Sequence, residues 1–157
     1  MDVKKLEKVF FYNSSQRDIC ADIAWLTEKL FLEKNSIIIF CTDQETVEVV
    51  DEFLWGYRED GFIPHSLQKK GENSVYPILI TTSIDNGYDH NVLLALNGAL
   101  IRERDWQGFA KIYYFFDDQD SKEKENARSM WKSFSSFKVE CKYWITKKNK
   151  WVLANSR

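Results

Sequence analysis

SIIIFC, residues 36 to 41, sets three isoleucines before a phenylalanine and a cysteine, with no charged residue among them. A strand with one wet face alternates apolar and polar side chains, whereas an unbroken β-branched run belongs to a strand covered on both faces, as in a parallel sheet. Its upstream flank agrees. KVFFYN (8–13) is a second β-branched and aromatic run, and between the two Ile19, Ile23, Leu26 and Leu30 recur at spacings of four, three and four. That spacing lays one apolar stripe along a helix of about five turns. Strand, helix and strand together form a βαβ unit.

Downstream, Thr42-Asp43-Gln44-Glu45 fits a capping box with Thr42 as the cap and Glu45 reaching back. The helix that follows turns Val47, Val50 and Leu54 inward and meets Trp55-Gly56, where the glycine ends it. PILITT (77–82) and VLLALN (92–97) read as strands on either side of a turn-rich segment containing Asn86-Gly87, and their order in the sheet is open. Asp105 to Ala110 reads as a short helix, and KIYYFF (111–116) as an apolar strand that stops at Asp117-Asp118. A last helix is expected from Asp120 to about Ser135, with Ala127, Met130, Trp131 and Phe134 on its apolar side. KVECKYWIT (138–146) and KWVLA (150–154) flank the polar turn Lys147-Lys148-Asn149 as a closing hairpin. The expected fold is an α/β three-layer sandwich with a mainly parallel, mixed central sheet and a C-terminal β-hairpin. No Pro/Ser/Gly-rich linker divides residues 1–157, so one domain is expected.

Composition narrows the class. With 44% hydrophobic and 29% charged residues the chain matches folded domains and not disordered ones. Cys20, Cys41 and Cys141 are odd in number and far apart, which argues against a disulfide framework or a zinc site and for a reduced, cytoplasmic setting. MDVKKLEKVFFYNSS lacks the long apolar stretch of an export signal, and no window holds the ~18 apolar residues of a membrane span. Charge is divided unevenly. Residues 1–121 carry 12 Lys+Arg against 21 Asp+Glu, a net of −9, and residues 122–157 carry 10 against 3, a net of +7. A basic C-terminal region suits an acidic partner or a phosphate backbone.

A nucleotide-binding topology would place glycines after the first strand, but that position holds Asn13-Ser14-Ser15-Gln16. Neither GxGxxG nor GxxxxGK[ST] occurs, so the topology lacks a phosphate loop and no cofactor is expected. His65 and His90 are the only imidazoles, and the acidic pairs Asp51-Glu52, Glu59-Asp60 and Asp117-Asp118 sit at element ends as solvated features do. No catalytic set and no metal site is therefore assigned. A small nucleotide- or phosphate-using enzyme with His65 and nearby acids in a cleft is the alternative, and direct nucleic-acid binding by the basic C-terminal region is a third reading. Two places look adhesive. Arg128, Trp131 and Lys132 can share one helical face, where a guanidinium beside an indole suits a carboxylate attached to an apolar group. LWGYREDGFIPHSL (54–67) puts Trp55 and Phe62 around a charged, glycine-punctuated stretch.

DEFLWGYREDGFIPHSL (51–67) resembles the signature segment of the chi subunit of bacterial DNA polymerase III, where a helix ending in Leu-Trp is followed by Phe-hydrophobic-Pro-His. FFYN near the start, PILITT, ARSMWKSF (127–134) and YWITKKNKW (143–151) extend the resemblance over nearly the whole chain. The resemblance implies a non-enzymatic replisome adaptor that binds the acidic C-terminal tail of single-stranded DNA-binding protein and touches nucleic acid only indirectly. It also implies a link to the clamp loader through the psi subunit, on a surface that an accessory helicase can share. It assigns Arg128 to the terminal carboxylate of the tail, Trp131 to the aromatic position beside it, Lys132 to a further basic position and Phe116 to an apolar wall. Trp55 and Phe62 fall on the psi surface, and Leu54, Pro64 and His65 complete the structural motif. Ser135 departs from the family, standing where some members carry another arginine.

Overall fold

A computed structural model describes residues 6–57, 66–67, 77–84 and 89–156. In chain order the elements are β1 (Lys8–Asn13), α1 (Ile19–Leu32), β2 (Ile37–Phe40), α2 (Gln44–Gly56), β3 (Ser66–Leu67) and β4 (Ile78–Thr81). They continue with β5 (Val92–Ala95), α3 (Glu103–Trp106), β6 (Lys111–Phe116), α4 (Ser121–Ser136), β7 (Glu140–Lys147) and β8 (Lys150–Ser156). The strands form one sheet in the order β3-β4-β2-β5-β6-β1-β7-β8, parallel throughout except for the antiparallel pair β7–β8. The α/β sandwich with its closing hairpin is the one read from the chain.

β2 lies deep in the sheet, as its isoleucines require. Ile38 joins Val9, Phe11, Leu93, Ile112 and Phe134 on one face, while Ile37 and Ile39 join Ile23, Val50 and Leu94 on the other. α3 and α4 cover the first face, and α1 and α2 cover the second. β2 also settles the open strand order, because it pairs with β4 through Ile37–Ile78 and with β5 through Ile37–Val92, and so separates the two.

Several local expectations shift. α1 holds 14 residues, just under four turns. The cap of α2 is Asp43 in place of Thr42: its backbone is extended, and its side chain accepts from the Thr46 amide at 2.7 Å. A carboxylate at this point also meets the positive end of the helix dipole, which a threonine hydroxyl cannot match. Bonds from Thr46 and then Thr42 hold the Asp43 carboxyl below its ordinary pKa. α3 starts two residues earlier than expected, because Arg102–Asp105 and Glu103–Gln107 side-chain bonds bracket its single turn and seat the Trp106 ring 5.1 Å from that of Phe134.

Two features fix the C-terminal half. Gly98 (φ +60°) lies where an added Cβ would come within 2.7 Å of the Glu123 backbone, and its carbonyl accepts from Asn126 Nδ2 at 2.9 Å. The first turns of α4 therefore rest directly on this loop. The β7–β8 turn places Lys148 and Asn149 at φ 51° and 63°, the left-handed pair that matches strand twist in a two-residue hairpin. The hairpin register then slips between Tyr143 and Trp144, a bulge in β8.

Candidate functional site

β1 and β6 are neighbours whose C-terminal loops leave in opposite directions, to α1 on one face and α4 on the other. In open α/β sheets such a switch point is where ligands bind. Here the two loops are stitched together. Asn13 Oδ1 accepts from the Ser15 amide at 3.1 Å and the Asp118 amide at 3.3 Å, and Ser14 donates through both N and Oγ to the Phe116 carbonyl. The first turn of α1 already binds the Asp18 carboxylate through the Ala21 amide and carries Asp22 beside it. Groups that would cradle a phosphate are thus engaged by the chain itself.

Beside this seal a cleft of about 290 Å³ opens between α4 and the sheet. Phe11 of β1, Phe116 of β6 and Tyr143 of β7 make its floor, with Phe116 and Tyr143 stacked at 5.9 Å. Lys124, Ala127, Arg128 and Trp131 of α4 make the wall. Trp131 is half-buried, its ring 5.0 Å from that of Phe11, so it serves the core and the cleft together. Asp118 and Asn155 stand at the rim. The Tyr143 oxygen accepts from Asn13 Nδ2 at 3.4 Å, which leaves its proton to donate. Burial raises the Tyr143 pKa and the nearby Asp118 charge adds to the effect, so the hydroxyl stays protonated at neutral pH.

The structure brings Arg128, Trp131 and Phe116 into one cavity. Lys132 is exposed and does not line it. At 100° per residue Lys124, Ala127 and Trp131 fall on one side of Arg128 and Lys132 on the other. Lys124 is the basic residue that faces in, four residues before Arg128, and that i, i+4 spacing was the signal for it. Tyr143 and Asn155 come from the hairpin by register and carried no local signal. Among the described residues no carboxylate pairs with Arg128 or Lys124, so both charges face solvent at the cleft mouth. Such a site suits an apolar side chain next to a carboxylate.

The second adhesive place is only partly in view. Leu54 is buried under α2, and Trp55 is 57% exposed on its outer surface. Phe62, Pro64 and His65 lie outside the described residues. The other imidazole, His90, is buried just before β5. No helix among the described residues is long and apolar enough to cross a membrane.

Fold and cleft together define an α/β domain whose β1–β6 switch-point loops bond to one another, with a small cationic, aromatic cleft beside them. The chain belongs to the DNA polymerase III chi subunit family (HolC), whose family model matches residues 6–142. It is 26% identical over 96 residues to the "Probable DNA polymerase III subunit chi" of Rickettsia prowazekii (strain Madrid E), a match covering 61% of this chain and 58% of that relative's length. Among solved structures, the C-terminal domain of S. cerevisiae Dbp5 bound to Gle1 and IP6 superposes with a TM-score of 0.60 at 12% identity. That match covers 91% of this chain and 92% of the other, a likeness of fold alone.

Proposed function

We propose that the chain is a non-catalytic replisome adaptor whose α4 cleft receives the acidic C-terminal tail of single-stranded DNA-binding protein. The observation that carries this reading is the convergence of Arg128 and Lys124 with Trp131, Phe116 and Tyr143 on one small cavity. The terminal carboxylate would pair with Arg128, with Lys124 and the Tyr143 hydroxyl as further donors. The last apolar side chain would lie on the Phe116 and Trp131 rings. Upstream carboxylates of the tail would meet Lys132 and the lysines around the hairpin turn, which attract from solution without gripping.

The tether to the clamp loader would be psi, docked at Trp55 and Phe62, with an accessory helicase as an alternative user of that surface. An exposed tryptophan at a helix end is the kind of anchor that partner helices cover. Family membership supports the polymerase assembly as the setting. A charged hydrogen bond contributes about 1.5 to 3 kcal/mol, so one tail in one cleft binds modestly and several tails on one oligomer raise the effective strength by rebinding.

Calorimetric titration with a free-acid tail peptide and its C-terminally amidated twin tests the site. Tight binding of the free acid, with roughly tenfold loss on amidation, is expected. Equal affinity of the two peptides would remove the carboxylate from the account.

A further inference from the structure

On the sheet face opposite the cleft lies a second hollow, of about 340 Å³. It opens where the covering helices run out. Parallel sheets are ordinarily covered on both faces, but β7 turns straight into β8 at Lys148–Asn149, and among the described residues α1 alone flanks this end of the sheet. The floor is aromatic: Phe10 and Tyr12 of β1, Tyr113 and Phe115 of β6, Trp144 of β7 and Trp151 of β8. Trp25 of α1 forms the near wall and is 51% exposed. Leu32, seven residues on and so on the same helical stripe, is 71% exposed. Leu153, opposite Trp144 in the hairpin register, is 44% exposed at the far side. An apolar surface thus runs from α1 across the floor to the last strand.

We propose that this hollow receives an amphipathic helix of a partner protein, apolar side down and with carboxylates along its flanks. Ring geometry selects against a nucleobase. Phe10 stacks on Tyr113 at 4.8 Å and 18°, Tyr12 on Phe115 at 5.0 Å and 14°, and Tyr12 on Trp144 at 6.3 Å and 13°. The Trp151 face is covered by the Arg17 guanidinium at 4.4 Å. In the floor the faces a base would need are spent on one another, which leaves mainly ring edges there to meet branched aliphatic side chains. Shape selects a helix, because the vacancy lies beside α1 in the layer where the chain's own next helix would pack.

Charge selects its flanks. Period-two alternation puts Lys8, Lys111 and Lys142 on the same face as Phe10, Tyr113 and Trp144. Lys8 and Lys142 share the one carboxylate of Glu140, each at 3.7 Å. Lys29 stands 5.5 Å over the Trp25 ring. Arg17 and Asp22 neutralise each other at 2.6 Å, and Glu33 closes α1 near Tyr113. Four lysines against Glu140 and Glu33 leave the rim cationic, complementary to an acidic helix and repulsive to a basic one.

Two synthetic helical peptides of about 15 residues, with one leucine face and either glutamate or lysine flanks, test this by NMR titration of the folded chain. The glutamate probe should shift the Trp25 and Trp151 indole signals and bind roughly tenfold tighter than the lysine probe. Lys29→Glu should narrow or invert that order, and Trp25→Ser should weaken the glutamate probe about fivefold. Both changes are at exposed positions and leave the fold intact. Arg128→Ala should bind the probe like the unchanged chain, which separates this hollow from the cleft. Equal binding of the two probes, or none, would overturn the proposal. So would indole shifts caused by oligothymidylate, or concentration-dependent self-association that covers Trp25 with no probe present.

Discussion

The cleft under α4 and the hollow behind the hairpin are near equals in size, about 290 and 340 Å³, and both have aromatic floors. They differ in how their charges and rings are committed. In the cleft Arg128 and Lys124 face solvent, and Trp131 shows part of its surface beside them. In the hollow Arg17 is locked to Asp22 and laid over Trp151, and the rings stack on one another. Concavity with aromatic lining therefore does not define a ligand. What defines it is which charges remain unneutralised and which ring surfaces remain open. On the proposals above, one hollow would take a single carboxylate and the other a long apolar side with diffuse negative flanks.

That contrast can be broken from its foundation upward. Phe134 is fully buried beneath α4 and touches the rings of Phe11 and Trp106. Phe134→Ala should cost about 3 to 5 kcal/mol in chemical denaturation and abolish tail binding, because α4 loses its seat. Arg128→Ala should leave the melting temperature unchanged and weaken the tail peptide about tenfold by calorimetry, the lower end for a charged bond at an exposed site. Asn13→Ala strips the acceptor from the Ser15 and Asp118 amides and should cost about 1 to 3 kcal/mol, with a smaller loss of tail affinity as Tyr143 comes free. Lys132→Ala should weaken the tail less than about twofold, and added salt should erase the difference, because the residue lies outside the cleft and acts only at a distance. A large, salt-resistant effect at Lys132 would mean that the tail crosses α4 and does not end beneath it.

Legibility in the chain followed the range of the forces involved. The strands and the long helices were readable because β-branched runs and stripes such as Ile19-Ile23-Leu26-Leu30 are local and repetitive. The cap at α2 was misplaced by one residue because Thr42 and Asp43 both have capping side chains, and only backbone geometry decides between them. α3 was misplaced because side-chain bonds from Arg102 and Glu103, and the burial of Trp106, outweigh propensity in so short a piece. For the cleft, Arg128, Trp131 and Phe116 were legible from α4 spacing and family likeness, whereas Phe11, Tyr143 and Asn155 enter through strand register across the sheet. The hollow left no local trace, since it arises where no helix among the described residues packs beside β7.

The bulge in β8 has one further effect. The sheet ends at β3 and β8, and among the described residues β8 offers no straight row of unpaired amides and carbonyls, because its slipped register bends it and Lys147, Lys148 and Lys150 guard its start. A stray strand finds a poor template along β8. Edge-to-edge pairing of two copies along β8 is thereby disfavoured.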